Sequence, residues 1–578
     1  MSTPSRPSHS LLVSPGLFEG LGEAALQALE AELEPVVLQG GQRLFAEGDG
    51  AEDGLYVLLT GRLGVLVGSP GELISVVRPG ESVGEMALLS HRKRSASVVA
   101  IRDSTLVRIS KAGFDALVRR HPAAMVGLAS NLVDRIDRLT RHTKPLASTQ
   151  TVALLPLGER VGLRVFAEKL AASLGSVGKR TKLLDAGFAR ESQGFFDAVE
   201  ADHALTLYCG DALGTAWSRL CLRRADRILL VAEGAAEPPA AGLALEGIDA
   251  LPWRLPELVL LQEEARRLPA PAAPWLARVK VEAHYHIRHK RAADLARLGR
   301  MLTEQAVGLV LSGGGARGFG HIGVIRALRE ADIPIDMAGG TSFGSIIAAG
   351  VALEWGDEEF RARMFEAFVR SDPLRDYAIP WVALTRGVKV TERLRENFGE
   401  ARAEDLWRPF FAVASNLTSG GVTVQREGPV WRALRASIAI PGLLPAVIEA
   451  GAVLVDGAVM NNLPADIMSG VRRGPVIGVD VTRYGSLQAP KRRDLSLARR
   501  LFGRGDEGPG IVSVLLRAGT VGSDAQTRLS RQHADLVLEP PLLEIDIRDW
   551  GALDRAIEVG YRHAMAHMEE ILRLCRPS

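Results

Sequence analysis

Ser342 stands in "GTSFG", with Gly340 two places before it and Gly344 two places after, ahead of the apolar run "SIIAAGVAL". A serine so flanked has the pattern of a nucleophile on a sharp strand-to-helix turn, where small neighbours let strand and helix approach. Alone the pattern is weak, because Gly and Ser are common in ordinary loops. Upstream, "VGLVLSGGGARGFGHIGVIRALRE" reads as a strand ending at Leu311, a glycine loop, and an amphipathic helix from near Gly320. Backbone amides freed by glycine near a helix N-terminus suit an oxyanion hole, which binds a developing negative oxygen without moving. Gly313, Gly315 and Gly318 also satisfy G-x-G-x-x-G, the dinucleotide turn. That turn wants an acidic residue at the end of the next strand. Asp336 falls before that end, and the Ser342 turn occupies the place of the ribose contact, so the oxyanion reading is preferred. Further on, Asp456 closes "AVLV" and is followed by Gly457, then by Asn461, Asn462 and Pro464. Locally, an Asp-Gly pair is most often a plain turn.

A second constellation lies in "GESVGEMALLSHRKRSASVVA". Gly84 and Glu85 open a short turn-helix, and Arg94 follows beside the small Ser95. The spacing suits a carboxylate on a ribose hydroxyl and a guanidinium on a cyclic phosphate, with helix amides adding to the anion site. A surface salt bridge between Glu85 and Arg94 is the plainer alternative. The glycine punctuation at Gly48, Gly61 and Gly80 favours a β-roll around a ligand.

Three segments position these residues. The first, 12–145, is β-rich, with "GLYVLLTGRLGVLVG" and "SVVAIRDSTLVRI" as strands. It closes in an amphipathic helix over about 123–142, where Met125, Leu128, Leu132, Val133 and Ile136 recur at helical spacing. The second, 150–265, alternates strands and helices, with strands at "TVALLPL", "RTKLLDA", "HALTLYC", "RILLVAE" and "ELVLLQE". It reads as an α/β connector on a parallel sheet, closed by the Pro/Ala-rich "LPAPAAPW". Its "GSVGKRT" imitates a phosphate loop but lacks G-x-x-x-x-G-K-[ST] and runs from helix into strand. The third, 300–575, repeats the α/β rhythm and holds most of the chemistry.

The 578 residues imply several domains, and 47% hydrophobic with 24% charged residues is an ordinary folded composition. A net charge of +2 gives no general case for nucleic acid as a partner. Cys209, Cys221 and Cys575 form neither a zinc pattern nor a disulfide framework. No apolar run reaches the length of a membrane span, and the N-terminus lacks a signal-peptide pattern. The expected location is cytoplasmic. The basic amphipathic stretch 490–505, "PKRRDLSLARRLFGRG", is a candidate for peripheral membrane contact, with a solvated loop as the alternative.

The order GGGARG, GTSFG and DGA, with "ASIAIPGLLPAV" from Ala436 to Val447, resembles the patatin-like phospholipases over about 305–575. The resemblance implies a modified α/β hydrolase with a Ser–Asp dyad. Ser342 would be the nucleophile, Asp456 its base and Gly313–Gly315 the oxyanion loop, with no metal or catalytic cofactor. Arg317 matches that family's loop arginine, and either fixes the loop or contacts a substrate phosphate. A Ser–His–Asp triad competes, since His533, His563 and His567 follow Asp456 in α/β-hydrolase order. Two of them fall in a C-terminal helix and one among charged residues, so the dyad is preferred, and His321 reads as packing. Residues 12–145 resemble cyclic-nucleotide-binding domains of the catabolite activator and kinase regulatory-subunit type. That implies cAMP or cGMP as a regulatory ligand at Gly84, Glu85, Arg94 and Ser95, and a homodimer contact on the 123–142 helix. The combination is similar to the neuropathy target esterase group of lysophospholipases, and implies a phospholipid or lysophospholipid substrate. A non-enzymatic nucleotide sensor with the hydrolase module as a scaffold is the alternative of a different class.

Overall fold

The computed structural model describes residues 33–50, 54–68, 71–90, 92–120, 133, 149–158, 161–176, 178–239, 255–372, 376, 377, 383–482 and 523–576. Apart from Val133, the helix expected at 123–142 lies outside them, as does the basic stretch 490–505. The chain forms two compact units, residues 1–261 with 274–284, and residues 262–273 with 285–578.

The first unit opens with an antiparallel sheet of β1 (Glu34–Leu38), β2 (Arg43–Phe45), β3 (Leu55–Val67), β4 (Glu72–Val77), β5 (Ser82–Val83) and β6 (Ser97–Ile109). The long β3 and β6 are its axis, and Leu58, Leu63, Val77 and Leu106 form the core between them. A short helix, Glu85–Ser90, follows β5 as expected. Next comes a sheet of β7 (Thr151–Pro156), β8 (Thr181–Leu184), β9 (Leu205–Cys209), β10 (Arg227–Glu233), β11 (Glu257–Gln262) and β12 (Ala283–Arg288), in the order β12-β11-β10-β7-β9-β8. β7 to β11 pair in parallel, and their near-continuous apolar runs are what a sheet covered on both faces requires. The Pro/Ala-rich stretch does not end this layer: Ala270, Ala272 and Trp275 are buried and β12 follows. Pro269, Ala270 and Ala272 are packed there while Pro271, Ala273 and Pro274 are exposed, and the His/Arg alternation of "AHYHIR" hides a strand.

Within this unit a buried ion network joins the roll to the α/β layer. Arg62 on β3 meets Asp226 at 2.7 Å, and Arg102 on β6 meets Glu200 at 2.5 Å. Arg224 and the Tyr208 hydroxyl bind the other oxygen of Glu200 at 2.9 and 2.6 Å. Each charge faces an opposite one, and Asp226 Oδ2 also accepts from the Gln150 and Thr151 amides, which is how buried ions are tolerated.

The second unit is built on an eight-stranded sheet of β13 (Gly308–Leu311), β14 (Met337–Thr341), β15 (Phe410–Asn416), β16 (Gly421–Gln425), β17 (Val447–Glu449), β18 (Ala452–Asp456), β19 (Val476–Val479) and β20 (Leu536–Leu538). The order is β17-β18-β15-β14-β13-β19-β20, with β16 also on β15. β13, β14, β15, β19 and β20 run parallel, while β16 and β18 oppose β15. Phe319 and Phe360 are fully buried in its core, worth about 1.5–3 kcal/mol each. Among the described residues, no helix is long and apolar enough to cross a membrane.

Candidate active site

The topology brings three chain turns to one place. β13 ends at Leu311 opposite Gly340, and the glycine loop follows. β14 ends at Thr341, and Ser342 begins the helix Phe343–Ala352. β18 ends at Asp456, opposite Ala414 of β15.

Ser342 holds φ +52° and ψ −128°, a conformation that costs a non-glycine residue on the order of 1–3 kcal/mol. Its neighbours must be glycine for reasons of space. A Cβ on Gly344 would lie 2.4 Å from Leu311 O, and one on Gly340 would lie 2.7 Å from the same oxygen. Gly457 has a similar reason, since a Cβ there would lie 2.3 Å from Val413 O. Beneath the turn, Phe343 packs edge-on against Phe319 and Phe368 at centroid distances of 5.1 and 5.0 Å. Those contacts pin the first residue of the helix.

Ser342 Oγ donates to Asp456 Oδ2 at 2.7 Å, across 114 positions of sequence. The other carboxylate oxygen accepts from Ala458 N at 2.9 Å. Burial pushes the Asp456 carboxyl up to about 6, and those two donors only partly offset it. An acid near 6 is a far better proton acceptor at neutral pH than a free aspartate would be.

The glycine loop is fixed from several sides. Gly313 N donates to Asn462 Oδ1 at 3.2 Å, and Asn462 Nδ2 donates to Thr482 Oγ1 at 2.7 Å. Ala316 N donates to Ile547 O, and Arg317 donates from Nε to Ile545 O at 2.7 Å and from Nη2 to Leu543 O at 3.3 Å. Gly314 N–H and Gly315 N–H have no acceptor among the described residues. The residues sequence reasoning missed are Ser437, which accepts from Ser342 N at 2.9 Å, and Asn462, which was noted only for its place in the chain. Ser437 stood inside the quoted "ASIAIPGLLPAV", and its burial was the signal a sequence does not carry.

The histidines stand elsewhere. His321 is fully buried against Ser312 O at 2.9 Å, and burial pushes it down to about 4, so it stays neutral. His563 Nε2 accepts from Glu539 N, His567 Nδ1 faces His563 O, and His533 is exposed. None of them touches Ser342 or Asp456. Asp336 is paired with Arg300 at 2.7 Å and precedes β14, which leaves no ribose contact for a dinucleotide.

In the roll, Arg94 is buried but does not pair with Glu85. It donates to Gly84 O at 2.9 Å and Gly54 O at 3.0 Å, and its guanidinium lies 4.3 Å from the Phe45 ring centroid. Glu85 is buried, Gly84 half-buried and Ser95 exposed. The loop around Arg94 is thus held by main-chain carbonyls.

Comparison with known proteins accounts for all three regions. Residues 35–121 match the cyclic nucleotide-binding domain, 148–308 the neuropathy target esterase family P-loop like domain, and 309–469 the patatin-like phospholipase family. The patatin-like phospholipase domain-containing protein 6 of Homo sapiens is 28% identical over 94% of this chain and 45% of its own length. Lysophospholipase NTE1 of Yarrowia lipolytica is 27% identical over 98% of this chain and 47% of its own. The chain therefore spans less than half the length of these relatives. An uncharacterized NTE family protein of Mycobacterium bovis is 30% identical over 96% of this chain and 95% of its own. With three matching regions and a relative similar from end to end, the chain belongs to the neuropathy target esterase family.

Proposed function

We propose that the chain is a serine esterase that hydrolyses the acyl ester of lysophospholipids or phospholipids through the Ser342–Asp456 pair. The 2.7 Å hydrogen bond between nucleophile and buried base carries this reading. Ser342 Oγ attacks the ester carbonyl as its proton passes to Asp456. The oxyanion is held by the Gly314 and Gly315 amides, since Gly313 N–H is occupied by Asn462. The leaving alcohol takes the proton from Asp456, and an acyl-serine remains. Water then adds to the acyl carbonyl and gives its proton to Asp456, which passes it to Ser342 Oγ as the bond to the acyl carbon breaks and the fatty acid leaves. Arg317, spent on two main-chain carbonyls, serves the loop rather than a substrate phosphate.

A cyclic nucleotide in the roll regulates this esterase, with Arg94 exchanging its carbonyl partners for the phosphate. Occupancy acts only if it favours one arrangement of the chain over another. Peripheral contact with a membrane delivers the lipid, and a homodimer through the 123–142 segment is part of the same reading.

The test is fatty-acid release by the full chain from a panel of lysophospholipids and phospholipids, alongside Ser342→Ala. Release by wild type and none by the variant supports the reading. Equal release by both overturns the mechanism, and none from any lipid leaves the scaffold alternative.

A further inference from the structure

β15 lies between the strands that carry the two reacting groups. The β14–β15 ladder runs out at Thr341 opposite Val413. The next amide, Ser342 N–H, is turned by the positive φ and has no strand carbonyl opposite it. Ser437 Oγ, fully buried at the end of the helix Val430–Ser437, accepts that N–H at 2.9 Å. The Ser437 hydroxyl itself donates to Val413 O at 2.6 Å. With its proton committed to Val413, its lone pairs are left to face Ser342.

The same strand fixes the base. Ala414 is the register partner of Asp456, and Ser415 Oγ donates to Gly457 O at 3.2 Å. Nucleophile and base are thus both referenced to Val413, Ala414 and Ser415, through Ser437 on one side and the ladder on the other. The geometry points to Ser437 as a positioning residue, which sets the peptide plane of Ser342 and with it the approach of Oγ to Asp456. This rests on the dyad reading above.

The tie is costly to lose in a particular way. Without the Ser437 oxygen, a buried N–H at a strained turn has no partner, and the turn can relax. A displacement of a fraction of an ångström spoils attack geometry before it weakens substrate binding, so the expected loss is in kcat rather than KM. Relaxation also lengthens the hydrogen bond by which Ser342 holds the Asp456 carboxyl down.

The experiment uses the full chain and a p-nitrophenyl ester, with rates normalised to sites titrated to completion by a fluorophosphonate. Ser437→Ala should lower kcat about 10–100-fold with KM within about twofold. The acid limb of its pH profile should move upward, which a loss of folded protein cannot produce. Ser437→Thr, which keeps the hydroxyl, should recover most of the rate. A per-site kcat for Ser437→Ala within about threefold of wild type, or an unmoved acid limb, overturns the proposal. Ser342→Ala and Asp456→Asn separate the two levels. If either turns over like wild type, the dyad reading falls and this proposal with it. If both are inactive while Ser437→Ala is normal per site, positioning alone fails.

Discussion

Asp226 and Asp456 are both buried carboxylates, and their surroundings drive them in opposite directions. Burial raises both. At Asp226 that is more than offset by Arg62 and Arg102 and by the amides of Gln150 and Thr151, so its carboxyl lies below the usual range. Asp456 has one hydroxyl and one amide and no cation among its partners, and rises to about 6. The first arrangement is a fastening, with its charge compensated. The second leaves its charge without a cation, which costs stability and suits the base proposed for Ser342. Arg94 is tied by two main-chain carbonyls, Gly84 O and Gly54 O, while its buried Nε has no hydrogen-bond partner among the described residues.

The contrast can be broken from both ends. Ser342→Ala and Asp456→Asn should each lower esterase turnover by roughly 10³-fold or more, as loss of a nucleophile or its base does elsewhere. Stability should move the other way. The native pKa of Asp456 is above its unfolded value near 3.9, so its favourable contribution is present below that value and lost as pH rises through about 6. At pH 8 the charge is a burden, and Asp456→Asn should melt no lower than wild type. A lower melting temperature at pH 8 would show that the carboxylate is structurally compensated after all.

Asp226→Ala should do the reverse. It removes the carboxylate that Arg62 and Arg102 share, at about 3–5 kcal/mol, while Arg102 keeps Glu200. Denaturant unfolding should show that loss, with turnover per titrated site of the folded fraction unchanged. The Asp226 contribution is present above the unfolded pKa and lost as pH falls through the lowered native one. Unfolding at acid pH should therefore show less difference between variant and wild type.

Next in size is the pH profile. With Asp456 acting as a base near 6, kcat/KM should be flat above pH 7 and fall about tenfold per unit below pH 6. A limb near 4 would mean that the carboxyl is solvated in the working enzyme. The smallest effect belongs to the roll. On the proposed reading a cyclic phosphate competes with the two carbonyls that Arg94 already binds, so the net gain is modest. Calorimetry on the full chain should show Arg94→Ala weakening cAMP or cGMP by about 10–100-fold, the worth of one charge-assisted hydrogen bond. Unchanged affinity would remove Arg94 from the site.

What the sequence revealed divides along the same line. That Ser342, the glycine loop and Asp456 stand on turns at strand ends was legible because strand, turn and small residue sit together locally. The strands β7 to β11 were legible from continuous apolar runs. Ser437, Asn462 and the Arg62–Asp226–Arg102 network were not, since each works on a partner far away in the chain. A serine or an arginine at such a place has many ordinary uses. β12 was missed for a different reason, because histidine and arginine break the apolar pattern although His286 and Arg288 are themselves buried.

The central claim is that Asp456 activates Ser342. Reaction of the full-length protein with a fluorophosphonate, followed by peptide mass spectrometry, tests it most directly. The adduct should fall on the peptide carrying Ser342, form with an acid limb near pH 6, and slow by orders of magnitude in Asp456→Asn. An adduct on another residue, or equally fast labelling of Ser342 without the Asp456 carboxylate, would contradict it.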